Sequence, residues 1–337
     1  MTPKETAIQS FLDRNGLGFA KRVPLAGDAS ARRYERIVRP DGSTVILVDT
    51  PNPAEDLLPF VAIGAVLDRI GLSVPAILAA NPESGLALQE DFGTETFSRL
   101  LAEGADPQPL YALATDAVIE LHRRWPAGEA ERLGLPVYDA ALFIEQVMLF
   151  ADVYLPVATG QPLSDRDRSD FETAWRAVVP GACAGPQSLL LRDYHVDNLM
   201  RLPRDGVRAA GLIDFQSAGR GPVAYDLISL LEDARRDVPA ALAEAMVARY
   251  LAAFPDLDAA AFRRSCAVLG AVRHTRILGI FVRLALSGRR GYLSHLPRVW
   301  RLLEGQLAKP ALGPVADWFA RHLPPHARAD LIVPEPV

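Results

Sequence analysis

The stretch whose reading decides the fold is Leu189–Met200, LLLRDYHVDNLM. Three leucines run into a polar loop holding Arg192, Asp193, His195, Asp197 and Asn198, and the chain turns apolar again at Leu199. Two strand-like runs around such a loop read as strands that present polar groups at fixed positions. A solvated turn is the plain alternative, because Asp and Asn are common in turns. The loop gains meaning from a second carboxylate, Asp214, which ends another apolar run in LIDFQ (212–216).

Asp193, Asn198 and Asp214 together supply what phosphoryl transfer from ATP requires. One carboxylate orients the attacking hydroxyl and accepts its proton. A second carboxylate and an amide oxygen hold Mg²⁺, which bridges the phosphates. Hard oxygen donors suit Mg²⁺ and not zinc. Mounting them at strand ends gives the rigid placement that in-line transfer needs.

Working outward, TPKETAIQSFL (2–12) opens like a capped helix, with Thr2 as N-cap, Pro3 in the first turn and Glu5 completing a capping box. Short strand-like runs follow in RRYERIV, TVILVDT, PAILAA and GLALQED, separated by turn pairs such as Asp41-Gly42 and Ser84-Gly85. One helical segment, AEDLLPFVAIGAVLDRIG (54–71), interrupts them. After Gly93 the apolar spacing becomes mostly helical. Only residues 189–214 return to strand-like runs, in SLLL, NLMRL and AAGLIDF, read as a β-hairpin carrying the polar loop. The predicted fold is α+β and bilobal, with a β-rich N-lobe over residues 1–92 containing one helix, and a mainly helical C-lobe over 93–337.

Composition narrows the class. The chain has 337 residues, with 36 Lys+Arg against 41 Asp+Glu, enough for two lobes and without the basic excess of a nucleic-acid surface. It opens with no basic-then-apolar leader, and no uninterrupted apolar run reaches membrane-spanning length. Cys183 and Cys266 stand alone and suggest neither a disulfide framework nor a zinc site. A cytoplasmic enzyme or binding protein is expected, with no nucleic-acid, membrane or protein partner.

LRDYHVDN followed by LIDFQ resembles the aminoglycoside phosphotransferase and choline kinase group, relatives of the protein kinases. That group usually has His and Gly where this chain has Leu191 and Arg192. The resemblance implies Asp193 as catalytic base, Asn198 and Asp214 as magnesium ligands, ATP as the nucleotide, and a protein-kinase-like fold. It also gives Asp226, in GPVAYDLISLL (221–231), the task of bracing the catalytic loop; an acid in the first turn of a helix is its plain reading. His195 has two readings, a loop brace and a substrate contact.

Three further segments carry the nucleotide. LAGDASARRY (25–34) offers Gly27, Asp28, Ala29 and Ser30 as a turn small enough for backbone N–H groups to approach phosphate, although an ordinary hairpin turn has the same composition. LQEDFGTET contains Asp91-Phe92-Gly93, the tripeptide that holds magnesium in protein kinases. It precedes the catalytic loop, so its order is wrong for that role, and Gln89, Glu90 and Asp91 read instead as an adenine-binding hinge. TVILVDT lacks the strand lysine of related kinases. Arg32 and Arg33 are the nearest cations; on a strand they point to opposite faces, and Arg33 is preferred.

The wider pattern resembles the anomeric N-acetylmuramate/N-acetylglucosamine kinases of peptidoglycan recycling, from about residue 5 to 300, and implies transfer to the C1 hydroxyl of a small sugar. Only FQSAGRGPVAYD lies between Asp214 and the next helix, too short a platform for a peptide substrate. Polar groups converging on a sugar are sought in Glu145, Gln216, Arg192, His195 and Arg220. Arg220 suits a lactyl carboxylate or a phosphate, or is a loop arginine. The alternatives are a kinase of another small hydroxyl compound, such as an aminoglycoside or a choline-like amine, and a nucleotide-binding regulator without turnover.

Overall fold

The structure, a computed structural model, describes residues 2–25, 32–52, 55–323, 328, 331 and 333. Five strands, β1 (Lys21–Pro24), β2 (Arg33–Val38), β3 (Thr44–Asp49), β4 (Ile77–Asn81) and β5 (Leu86–Glu90), form one antiparallel sheet in the order β1-β2-β3-β5-β4. The predicted turns fall where expected. Gly42 has φ +83°, and Asp41 caps the turn by accepting the Ser43 N–H at 2.9 Å. Gly85 has φ +69°, and a Cβ there would lie 2.1 Å from the Thr50 carbonyl oxygen, so only glycine fits.

The all-apolar reading of β3 has a simple cause: both its faces are buried. Val45 and Leu47 pack with Ile37, Leu86 and Leu88 against Ile8, Phe11 and Leu12 of the helix Pro3–Arg14. Ile46 and Val48 pack on the other face with Leu57 and Ala87, beside Tyr34. Alternation along the strand thus selects between two cores rather than between core and water. At the first helix Thr2 accepts the Glu5 N–H at 3.2 Å, but the Glu5 carboxylate is paired with Arg22. The capping box is therefore half of what the sequence promised.

The described residues group into two compact units. One takes residues up to Leu135 together with Val196–Ala218; the other takes Pro136–His195 and the chain from Gly219 onward. In the first unit, β7 (Leu199–Arg201) and β8 (Ala210–Leu212), counted after β6 (Gln187–Leu190), form a two-stranded ladder. It is bridged to the rest of the unit at Ser73–Gly211 and Thr96–Met200. A Cβ on Gly211 would meet the Phe92 ring at 2.8 Å, so the ladder lies directly on that ring.

In the second unit β6 pairs antiparallel with β9 (Gly219–Pro222). This corrects the expected hairpin. The strands on either side of the polar loop do not pair with one another, and the loop runs from the end of one ladder to the start of another. The remainder of the unit is helical, built on the 28-residue helix Ala259–Leu286. That helix and Ala140–Thr159 are long and apolar enough by composition to cross a membrane. The apolar window of Ala259–Leu286 is 89% buried inside the protein, which marks a core helix. Cys183 and Cys266 are free and buried, and burial pushes both thiols up to about 12.

Candidate active site

In the second unit, the segment Leu191–His195 is held by one carboxylate. Asp226, 1% exposed at the start of the helix Ala224–Leu231, accepts the Leu191 N–H at 2.6 Å on one oxygen and the Arg192 N–H at 2.9 Å on the other. The bracing role implied for it is thus met through backbone, not through the Arg192 side chain. Arg192 sits at φ +74°, a left-handed conformation that costs a non-glycine residue roughly 1–2 kcal/mol. The geometry explains why glycine is usual at this position in related loops and makes arginine a choice in need of a reason. Next to it the Asp193 N–H closes a tight turn on the Leu191 carbonyl at 3.0 Å. His195 is 8% exposed, and its Nε2 lies 3.3 Å from Arg235 Nη1.

Burial pushes the Asp226 carboxyl up to about 7, against the pull of its two backbone N–H donors. Between the ordinary value of 3.8 and about 7, the folded chain holds a proton here that the unfolded chain has lost. Asp226 therefore makes stability fall as pH rises through that window. Asp226→Asn removes this dependence and turns an amide NH₂ toward a backbone N–H, leaving one donor unmet at about 1–3 kcal/mol. Denaturation midpoints at pH 5 and pH 8 should show the variant less stable at pH 5, with the gap narrowing at pH 8. An unchanging gap would mean Asp226 does not titrate in this range.

The first unit holds the other half of the predicted set. Asp214 has φ +62°, and Phe215 anchors it by stacking on Phe60 with ring centroids 4.4 Å apart. Asn198 ends a short helical turn, and its amide nitrogen lies 3.5 Å from Asp214 Oδ2; Asn198 also accepts the Ile213 N–H through its carbonyl. On the other oxygen of Asp214, Gln216 donates at 3.0 Å and Arg32 donates at 2.5 Å. Among the described residues no three His, Cys, Asp or Glu side chains cluster as a metal cage. One carboxylate beside one amide oxygen fits the sparse protein ligation of Mg²⁺, which fills its remaining positions with water and phosphate oxygens.

The candidate nucleotide residues divide. Gly27, Asp28, Ala29 and Ser30 lie outside the described residues. Arg33 is exposed on β2 opposite Asp49, whereas Arg32 is only 12% exposed in its side chain and sits on Asp214. Of the two arginines, Arg32 is the one that the structure brings to Asp214. Asp91 is not poised for metal: its carboxylate grips Arg36 at 2.5 Å and the Gly93 N–H at 2.8 Å. Burial acts against its charge, yet the bonds from Arg36, Thr44 and Gly93 hold it below the usual carboxylate range. Gln89 and Glu90 belong to β5, facing Ile46 and Val45 of β3; the Glu90 N–H is spent on the Ala76 carbonyl, and its carboxylate pairs with Arg204.

Among the sugar candidates, Gln216 is 8% exposed and holds Asp214. Glu145 is exposed on the helix Ala140–Leu149 and makes no hydrogen bond with any described residue. Arg220 lies on β9 between two glycines. A Cβ at Gly219 would come 2.4 Å from the Pro136 carbonyl oxygen and 2.6 Å from the Tyr138 ring, and one at Gly221 would come 2.6 Å from Leu190 Cδ1 and 3.0 Å from Tyr138 Cβ, so the glycines let Pro136, Tyr138 and Leu190 all approach the strand closely. Sequence reading passed over Tyr138. The signal available was the GRG run itself, since glycines inside a strand mark a close approach.

The braced turn of the second unit and the amide–carboxylate pair of the first are the features on which the sequence resembles a kinase-like phosphotransferase. The model of the phosphotransferase enzyme family matches residues 21–263, and the chain belongs to that family. Among curated relatives, it is 34% identical to the N-acetylmuramate/N-acetylglucosamine kinase of Caulobacter vibrioides, over 96% of this chain and 98% of that one. It is also 34% identical to the enzyme of the same name from Pseudomonas aeruginosa, over 92% of this chain and 90% of the relative. Among solved structures, the GDP complex of aminoglycoside 2'-phosphotransferase-IIIa superposes with a TM-score of 0.62 at 15% identity, over 91% of this chain and 99% of that one. At that identity the likeness speaks for the fold alone.

Proposed function

We propose that this protein is an ATP-dependent sugar kinase that phosphorylates the anomeric C1 hydroxyl of N-acetylmuramate and N-acetylglucosamine. The observation that carries the reading is near-full-length similarity to two enzymes of that name, in a chain that keeps Asp193, Asn198 and Asp214. Asp193 receives the C1 hydroxyl, orients it and takes its proton late in transfer; an anomeric hydroxyl is more acidic than an ordinary alcohol, so a carboxylate of modest basicity suffices. Asn198 and Asp214 hold Mg²⁺, which when bound neutralises charge on the phosphates. Arg32 takes over the phosphate contact that a strand lysine makes in related kinases.

Residues 1–92 serve the nucleotide in this reading. Gly27, Asp28, Ala29 and Ser30 cover the phosphates, and the backbone of Gln89–Asp91 meets adenine, with the Glu90 carbonyl rather than its committed N–H as the contact. Residues 93–337 supply the catalytic loop and the sugar site, with Gln216, Arg192, His195 and Arg220 as contacts. The exposed Glu145 loses its place among them. The product is a sugar 1-phosphate, made in the cytoplasm where ATP is available. Nothing in the chemistry of these residues calls for a nucleic-acid, membrane or protein partner.

The test is ATP consumption with Mg²⁺ across N-acetylmuramate, N-acetylglucosamine, glucose, choline and kanamycin. Turnover confined to the N-acetyl sugars, with phosphate on C1, is expected. Turnover with an amine alone would leave the phosphotransferase and overturn its substrate, and ATP binding without any turnover would favour a regulator.

A further inference from the structure

We propose that Arg192, seated on Tyr138, forms with Arg276 a carboxylate-binding subsite that seats the lactyl group of N-acetylmuramate. The inference rests on the sugar-kinase reading and concerns one of its two substrates, since N-acetylglucosamine has no carboxylate.

The argument begins with the arginine at the left-handed position. Arg192 Nη1 donates to the Tyr138 hydroxyl at 3.1 Å, and its guanidinium lies over the Tyr138 ring, 5.5 Å from the centroid. It forms no ion pair with a described residue, and its Nε is buried without a hydrogen bond. Asp226 uses both oxygens on backbone N–H groups, and Asp193 acts on Arg192 only through its field. A partly buried guanidinium without an acid partner is costly, and a backbone conformation that favours glycine adds to the cost. Strain of this kind, kept where glycine would relieve it, points to function.

The second cation is on another element. Arg276, half-buried on the helix Ala259–Leu286, makes no hydrogen bond or ion pair among the described residues, and its charge acts on the Tyr138 hydroxyl. The helix carrying it packs along the helix Ala140–Leu149, and Gly279 meets the far end of that helix at the Leu149 carbonyl oxygen. That helix begins just after Tyr138, with Asp139 as its N-cap. Arg220 joins from the strand: Tyr138 N–H donates to its carbonyl at 2.7 Å, and its own N–H donates to Pro136 at 2.9 Å.

A carboxylate fits this group because it accepts from planar guanidinium forks, in charge-assisted bonds. The phenol stays neutral, since burial raises it and outweighs the two arginines. The lactyl ether leaves the sugar at C3, two ring bonds from the C1 hydroxyl, so its carboxylate falls near the neighbour of the residue that holds C1. A cationic aminoglycoside or choline would meet repulsion here instead.

The experiment compares kcat/KM for the two sugars in wild type, Arg276→Gln, Arg276→Lys and Arg192→Gly. Loss of one charge-assisted bond should lower the N-acetylmuramate-to-N-acetylglucosamine ratio about 10- to 100-fold in Arg276→Gln, through the N-acetylmuramate KM. Arg276→Lys should recover part of it. Arg192→Gly should lose the same preference while melting no lower than wild type, because glycine suits φ +74°. An unchanged ratio, or equal losses for both sugars, overturns the subsite while leaving the kinase reading intact. Wild type inactive on both sugars overturns the kinase reading, and the subsite with it.

Discussion

Asp193→Asn should lower kcat about 10²- to 10⁴-fold, the range for a positioned acid–base group, and leave nucleotide binding unchanged. The substitution keeps the size of the side chain and removes its capacity to take a proton. The backbone of the turn has its own support: Asp226 holds the two preceding N–H groups, and the Asp193 N–H bonds to Leu191. The variant should therefore fold and melt like wild type. Phosphoryl transfer has little covalent work for a base early in the reaction, so much of the loss is in orientation of the hydroxyl. Single-turnover rates with N-acetylglucosamine, beside titration of a fluorescent nucleotide, separate the two effects. Full turnover in Asp193→Asn would remove this residue from the mechanism; lost nucleotide binding would assign it to the wrong substrate.

The sequence made the chemistry of the loop legible because residue type carries it. Type and spacing single out Asp193, Asn198 and Asp214, resemblance supplies their proposed roles, and the strand runs show in their apolar pattern. Partners in a sheet are not coded locally. The apolar runs at 188–191 and 198–202 look like two arms of one hairpin, yet Leu189 faces Arg220 and Leu199 faces Leu212. Periodicity fixes which face of a strand is buried, not which distant strand lies alongside. The same limit leaves the choice between Arg32 and Arg33 open in the sequence. Neighbours on a strand point to opposite faces, and only the packing of Tyr34 and Leu57 on one side of the sheet, with Asp214 in reach of Arg32, decides between them. Asp91-Phe92-Gly93 is read as no metal site from its order in the chain. Its actual work, pairing with Arg36 and lying under Gly211, depends on contacts that no local motif announces. The glycines beside Arg220 did announce a contact, but not that Tyr138 makes it.

Asp214→Asn should reduce turnover about 10³-fold, since a metal that neutralises phosphate charge is worth several kcal/mol and each factor of ten is about 1.4 kcal/mol. Asparagine tolerates the left-handed conformation at φ +62° as aspartate does, so the backbone should hold. What changes is charge. Arg32 now sits on this carboxylate at 2.5 Å, in the place where a metal's charge is needed, and Asn198 and Gln216 complete the surroundings. In the proposed function the ion pair and the metal compete for Asp214. Arg32→Met should thus tighten Mn²⁺ binding to the nucleotide-free protein, read by the loss of free-Mn²⁺ resonance signal, while raising the KM for ATP because the phosphates lose their cation. Asp214→Asn should weaken Mn²⁺ binding in the same assay. The opposed shifts exclude a mere loss of folding, which would weaken Mn²⁺ binding in both variants. If Arg32→Met leaves Mn²⁺ affinity and ATP KM where they were, the guanidinium is only a structural tie on β2 and another cation serves the phosphates. If Asp214→Asn keeps wild-type turnover, the metal is held elsewhere, and the pairing of Asn198 with Asp214 is a strand-end hydrogen bond with no part in the reaction.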